Sequence, residues 1–231
     1  MKLPSLILAV TVSTIPLAFG AVSMTSVDDF SASNESWQIG GAGIQPVRVA
    51  SAGPDGLTGY LSHLSDGGSA NGKWLMWTSH ADWTGNYLSA GITGISLWAN
   101  VSSGSSPVSL RVAFDGAGGW FYSSALSIGA GWAAQLFSLS SANFTYAAGS
   151  GGTGLYNDTF SGVTRFEILA GGGGVSYRAG GDLLQAGTST NTILVDAISA
   201  VPEPSAVSLL CIGLGGLALL RRSRKKDGRD F

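Results

Sequence analysis

Side chains able to do chemistry are few in this sequence and stand apart from one another. The chain has 231 residues, two histidines and one cysteine. His63 and His80 lie among Ser, Gly and Asp, surroundings that predict exposed loops and not a metal site or a general base. Cys211 sits in an apolar run near the C-terminus, so neither an intramolecular disulfide nor a Cys-x-x-Cys site can form. The acids occur singly among Gly, Ser and Asn. Asp28 and Asp29 are adjacent, but neighbouring side chains on a strand point to opposite faces. A hydrolase needs two carboxylates flanking a cleft, or a nucleophile beside a base. The chain is therefore expected not to be an enzyme.

Aromatic side chains are the more promising chemistry. All seven tryptophans fall between residues 37 and 132. Trp74, Trp77, Trp83, Trp98, Trp120 and Trp132 can stack on sugar rings wherever they reach the surface, although tryptophan more often fills a core. Two stretches set aromatics beside Gly, Asp and Asn in the manner of a binding rim: "SHADWTGNY" around Trp83 and "FDGAGGWFY" around Trp120. Those two tryptophans are the expected glycan contacts. Asp196, in "NTILVDAIS", shares by period two a strand face with Leu194 and Ile198, and a carboxylate on such a row needs a partner.

The elements that would position these residues read as strands. Thirty-five glycines, clustered with Ser, Ala, Asn and Thr, punctuate short apolar stretches. Val108, Leu110, Val112 and Phe114 alternate with Ser109, Arg111 and Ala113, one face buried and one wet. With the preceding "TGISLWANV" they form the clearest strand pair, joined by a loop over residues 102–107. Further strands are expected over residues 44–50, 59–64, 73–77, 120–128, 133–139, 163–169 and 191–200. The glycine runs "AAGSGGTG" and "AGGGGVSYRAGG" lack a Gly-Lys-Ser/Thr ending and a following helix, so they read as loops or bulges and not phosphate cradles. The expected fold class is all-β: a jelly-roll-like β-sandwich over residues 21–200.

Both ends of the chain read as targeting segments. Lys2, an apolar stretch from Leu3 to Phe19 and small residues near Gly20 make residues 1–20 a signal peptide for the secretion machinery and signal peptidase. At the other end, Ala206 to Leu220 is fifteen residues without a charge. As a helix that run is roughly 22 Å long, a short transmembrane span. Arg221, Arg222, Arg224, Lys225 and Lys226 follow it and act as a stop-transfer cluster that keeps the tail, residues 227–231, cytoplasmic. Between the two segments, five basic residues oppose eleven acidic ones, leaving −6 where the whole chain carries −2. An acidic ectodomain repels phosphate backbones and excludes nucleic acid as a partner.

Pro202-Glu203-Pro204, the apolar run and the arginine cluster, in that order over residues 201–226, resemble the PEP-CTERM sorting signal of exported bacterial proteins. The resemblance implies processing by an exosortase-type membrane protease-transpeptidase, with Pro202, Glu203 and Pro204 as its recognition motif outside the cytoplasmic membrane. The domain would then pass to the cell surface or extracellular matrix. Two prolines keep that segment extended and out of a helix or central strand. The ectodomain is similar to laminin-IV-type and carbohydrate-binding jelly rolls in three places. These are the Trp83-x-Gly85-Asn86 turn, the opening "VDDFSASNESWQ" and the closing "TILVDAISA". That resemblance implies neighbouring first and last strands, with Asp28 and Asp196 helping to hold a structural calcium through hard oxygen ligands. The function expected from all of this is a structural or adhesive role at the cell surface or in the matrix. The alternative is a glycan-binding module of the extracellular polysaccharide.

Overall fold

The computed structural model describes residues 22–40, 44–50, 53–54, 56, 59–65, 74–104, 107–178, 181–185 and 190–202. The signal peptide, Glu203, Pro204, the apolar run and the basic cluster lie outside these residues. Among the described residues no helix is long and apolar enough to cross a membrane. The strands run in chain order as β1 (Val27–Asp28), β2 (Gln38–Ile39), β3 (Val47–Val49), β4 (Tyr60–Ser65), β5 (Trp74–Thr78), β6 (Ile92–Gly104) and β7 (Val108–Asp115). They continue with β8 (Phe121–Ser123), β9 (Leu126–Ile128), β10 (Ala133–Ser138), β11 (Phe144–Tyr146), β12 (Arg165–Gly171), β13 (Val175–Arg178), β14 (Asp182–Gln185) and β15 (Asn191–Pro202). A short α-helix, α1 (Tyr156–Phe160), precedes β12.

Two antiparallel sheets pack face to face as a β-sandwich. The first has the order β10-β6-β15-β4-β3, with β1 added alongside β15. The second has the order β11-β8-β7-β12-β5-β2, with β9 added to β7. Period-two alternation builds the core between them. Ile95, Leu97, Ala99, Ile193, Val195 and Leu61 face inward from the first sheet. Leu110, Val112, Phe114, Phe166, Ile168 and Met76 meet them from the second. Phe114 stacks on Phe166 at 4.9 Å, and Trp37 meets Phe166 edge-on at 5.3 Å. Side chains of this size, fully desolvated, each contribute about 1.5–3 kcal/mol relative to exposure.

β6 and β7 do not pair with each other, although they read as a pair in the sequence. They belong to opposite sheets, and their two apolar rows face one another across the core. The stretch 120–128 divides into β8 and β9. "VSYR", within a glycine run expected to be loop, forms β13. It pairs with β14 as a separate hairpin. His63 is also not in a loop: it is buried on β4 with its ring 6.0 Å from that of Trp74. The first and last strands do neighbour each other, with Val27 opposite Ser199 and Asp28 opposite Ile198. β15 is a central strand, and Pro202 is its last residue, opposite Ile92. A proline is tolerated there because the ladder stops and no further N–H is required.

Candidate functional site

The outer face of the first sheet carries the side chains that point away from the core. Register places Ala134, Trp98 and Asp196 in one row across β10, β6 and β15, and Ser62, Leu194 and Asn100 in another. Tyr60 and Ser62 of β4 alternate with inward Leu61, and so point outward with Leu64. Trp98 is 38 % exposed, and Leu64, Leu136 and Val47 are exposed on the same face. Tyr60 meets Trp132, just before β10, edge to face at 5.5 Å. Three aromatic rings, aliphatic side chains and the amide of Asn100 thus share one sheet surface with Ser62, Ser96 and Ser199. A surface of flat rings beside short polar groups can stack a sugar and hydrogen-bond its hydroxyls. At the edge beyond Leu136 lies a cleft of about 170 Å³, lined also by Phe137, Ser124, Ser138 and Asn143.

Asp196 sits within this face and is fully buried. A bulge follows it: pairing with β6 slips between Asp196 and Ser199. Ala197 adopts a left-handed backbone, φ 47°, and donates its N–H to Asp196 Oδ1 at 2.6 Å. The carboxylate thus stabilises a conformation that alanine resists. The bulge overturns the face predicted from alternation. Val195 and Ile198 both face the core, so Asp196 shares the outer face with Leu194 but not with Ile198.

Asp28 lies on the other side of the same sheet. Its Oδ2 accepts hydrogen bonds from Trp37 Nε1 at 2.6 Å and Trp83 Nε1 at 2.7 Å. The sheet therefore separates the two carboxylates expected to share a calcium ion, and Asp28 spends its oxygen on two indoles. Among the described residues no three His, Cys, Asp or Glu side chains cluster as a metal site. Burial pushes the Asp28 carboxyl up to about 6, only partly opposed by the two indole hydrogen bonds. Glu35 and Asp82 add to the rise.

The tryptophans singled out as glycan contacts lie elsewhere. Trp83 is in the core, its ring held by Asp28 and its carbonyl by the Tyr87 hydroxyl at 2.9 Å. The Gly85-Asn86 turn beside it is structural: Gly85 takes φ 116°, and Asn86 Oδ1 accepts from Ser89 N at 2.8 Å. Trp120 is buried with Trp77, Leu75, Leu169 and Leu183 in a second, smaller core. Neither ring can meet a ligand. Trp98 and Trp132 can, and Tyr60 was not anticipated because one tyrosine on a short strand carries no local signal.

The second core lies between the outer face of the second sheet and the β13–β14 hairpin. Arg165 stacks on Trp77 at 3.9 Å and pairs with Asp182 at 2.7 Å and with Glu167 at 3.2 Å. Leu183 N donates to the other Glu167 oxygen at 3.2 Å. Glu167 is completely buried, and burial raises its carboxyl well above the ordinary range despite Arg165. Asp115 is raised too, again chiefly by burial. Glu167 is closed in beneath the hairpin, and Asp182, on the hairpin itself, shares its arginine.

Residues 200–225 match the family model of the PEP-CTERM protein-sorting motif. No curated protein sequence matches the chain. Among solved structures, the family 11 carbohydrate-binding module of the cellulosomal cellulase Lic26A-Cel5E of Clostridium thermocellum is similar in fold. Its TM-score is 0.50 at 12 % identity, over 79 % of this chain and 96 % of that one. A family 11 module from the same organism, in complex with a β-1,3-1,4-mixed-linked tetrasaccharide, gives 0.48 at 13 % identity, over 76 % and 93 %. The chain is thus a β-sandwich similar in fold to a carbohydrate-binding module, with a PEP-CTERM protein-sorting motif at residues 200–225 that marks an exported protein.

Proposed function

We propose that the exported domain is a non-catalytic module that holds extracellular polysaccharide on the open face of its six-stranded sheet. Adhesion within the surface matrix would follow from that contact. The observation that carries the reading is the grouping of Tyr60, Trp132 and exposed Trp98 with Asn100 and three serines on one face. The fold it shares with a carbohydrate-binding module supports the same reading. The acids buried as ion pairs or indole acceptors support a non-catalytic role. Affinity electrophoresis of the ectodomain through gels containing soluble polysaccharides tests it. Retardation by at least one polysaccharide is expected, weakened about fivefold in Trp98→Ala, since one lost ring contact is worth about 1 kcal/mol. Unchanged mobility in every gel would overturn the proposal.

A second reading is favoured by exposed Val47, Leu64 and Leu136 on the same face. Aliphatic side chains suit a protein neighbour in a structural layer better than a sugar. Sedimentation of the ectodomain over a concentration series separates the two. Self-association lost in Leu136→Ser would favour the structural reading.

A further inference from the structure

Most exposed large apolar side chains outside the open sheet face belong to turns, and three of those turns close the same end of the sandwich. Met24 is 59 % exposed in the turn over residues 23–26, beside the end of β15, where Ala200 N donates to Ser26 O at 3.0 Å. Leu88 is 46 % exposed in the turn that leads into Ile92, the residue opposite Pro202. Leu155 is 58 % exposed where the chain enters α1, whose Phe160 carbonyl accepts from Tyr87 N. Pro202 leaves the fold at this same end. Only Glu203, Pro204 and Ser205 separate it from the charge-free run beginning at Ala206. Three extended residues span at most about 11 Å.

We infer that, while the chain is anchored, this turn end of the sandwich rests on the phospholipid surface through Met24, Leu88 and Leu155. The inference rests on the apolar run entering the bilayer, and it is independent of the glycan reading. A tether this short leaves the domain no room to stand clear of the membrane. The turns over residues 23–26 and 86–91 carry no charge, and the neighbouring Asp82 and Asp158 are acidic, so anionic headgroups would not attract this end. The contact is carried by apolar side chains and persists at high salt. β15 then rises from the bilayer, and the open face with Trp98 stays in water, accessible before the anchor is removed. No linker lies between fold and sorting motif, so the processing enzyme meets Pro202 as the end of a folded strand.

Depth-dependent fluorescence quenching tests this. The chain from Ala21 onward, carrying Cys211→Ser, receives single cysteines by Met24→Cys, Leu88→Cys, Leu155→Cys or Leu64→Cys, each labelled with a small fluorophore. The labelled chains are reconstituted in phosphatidylcholine vesicles with nitroxide at the headgroup. Leu64 is the control: it is 55 % exposed but pairs with Thr192, roughly 30 Å along β15 from Pro202. Loss of emission at 24, 88 and 155, with emission kept at 64 and no change at high salt, is the expected result. Equal emission at all four positions would overturn the inference. Quenching at 64 alone would overturn it too, because the domain would then lie on its sheet face. A chain that does not float with the vesicles would overturn both the inference and the anchor reading beneath it, whereas floating without contact would sink only the inference.

Discussion

The two sheets present outer faces of similar sequence and opposite fate. Each alternates apolar and polar residues, each carries tryptophan, and each holds one fully buried acid. On the second sheet the β13–β14 hairpin closes over Trp77, Trp120 and Leu169, and Glu167 lies beneath it beside Arg165. On the first sheet Trp98 and Leu136 remain exposed, and Asp196 is spent on the bulge at Ala197. The difference is made by the segment that follows β12. A hairpin of eight paired residues turns one aromatic face into core and leaves the other free to meet a partner.

The covered face should therefore behave as core when it is cut. Trp77→Ala removes the platform for Arg165 and is expected to cost about 3–5 kcal/mol, read by chemical denaturation. A loss under 1 kcal/mol would mean the hairpin does not hold its place in solution.

The inner side of the first sheet gives the next largest effect. The Asp28 carboxyl is raised to about 6 by burial, so the folded chain holds this proton more tightly than the unfolded chain. That stability is fully present below the ordinary value near 4 and is lost as pH rises through 6. The gap amounts to about 3 kcal/mol. Melting temperature should fall between pH 4 and pH 7, and Asp28→Asn should remove the Asp28 share of that fall. An unchanged slope in Asp28→Asn would mean the two indoles hold the carboxylate ionised after all.

Glu167 offers a sharper contrast. Burial favours its neutral form while Arg165 is shared with Asp182. Glu167→Gln keeps an acceptor for Leu183 N–H, so stability at pH 7 should change by less than about 1 kcal/mol. A loss of several kcal/mol would show that the ionised acid carries the contact. The smallest effect belongs to the open face. Trp98→Ala should shift stability by about 0.5 kcal/mol or less, and its cost should appear only in polysaccharide retention. If it destabilises as Trp77→Ala does, the two faces are alike and the comparison fails.

Some of this was legible in the residues alone. The alternation over residues 108–114, the turn-rich glycine pattern and the neighbouring ends "VDDF" and "TILVDAISA" point to a sandwich, and the structure has one. The placement of β6 and β7 in opposite sheets was not legible, because a short loop can turn back within a sheet or lead to the other, and only the opposing apolar rows decide. The choice of Trp83 and Trp120 failed for a related reason. Gly, Asp and Asn beside an aromatic mark a turn, but a turn does not say whether its ring points out or in. Trp83 points in because Asp28, 55 residues earlier, offers its carboxylate there.

The sequence by itself determined what depends on order along the chain. Period-two patterning made strands, and Pro202-Glu203-Pro204, the apolar run and the arginines, in that order, made a PEP-CTERM sorting motif. The tertiary structure decided what depends on distant segments meeting. One bulge residue turned Asp196 away from Ile198 and from Asp28, because a single added residue reverses every side chain that precedes it relative to those that follow. One hairpin decided which aromatic face is buried, because covering a surface requires a partner whose position no local pattern encodes.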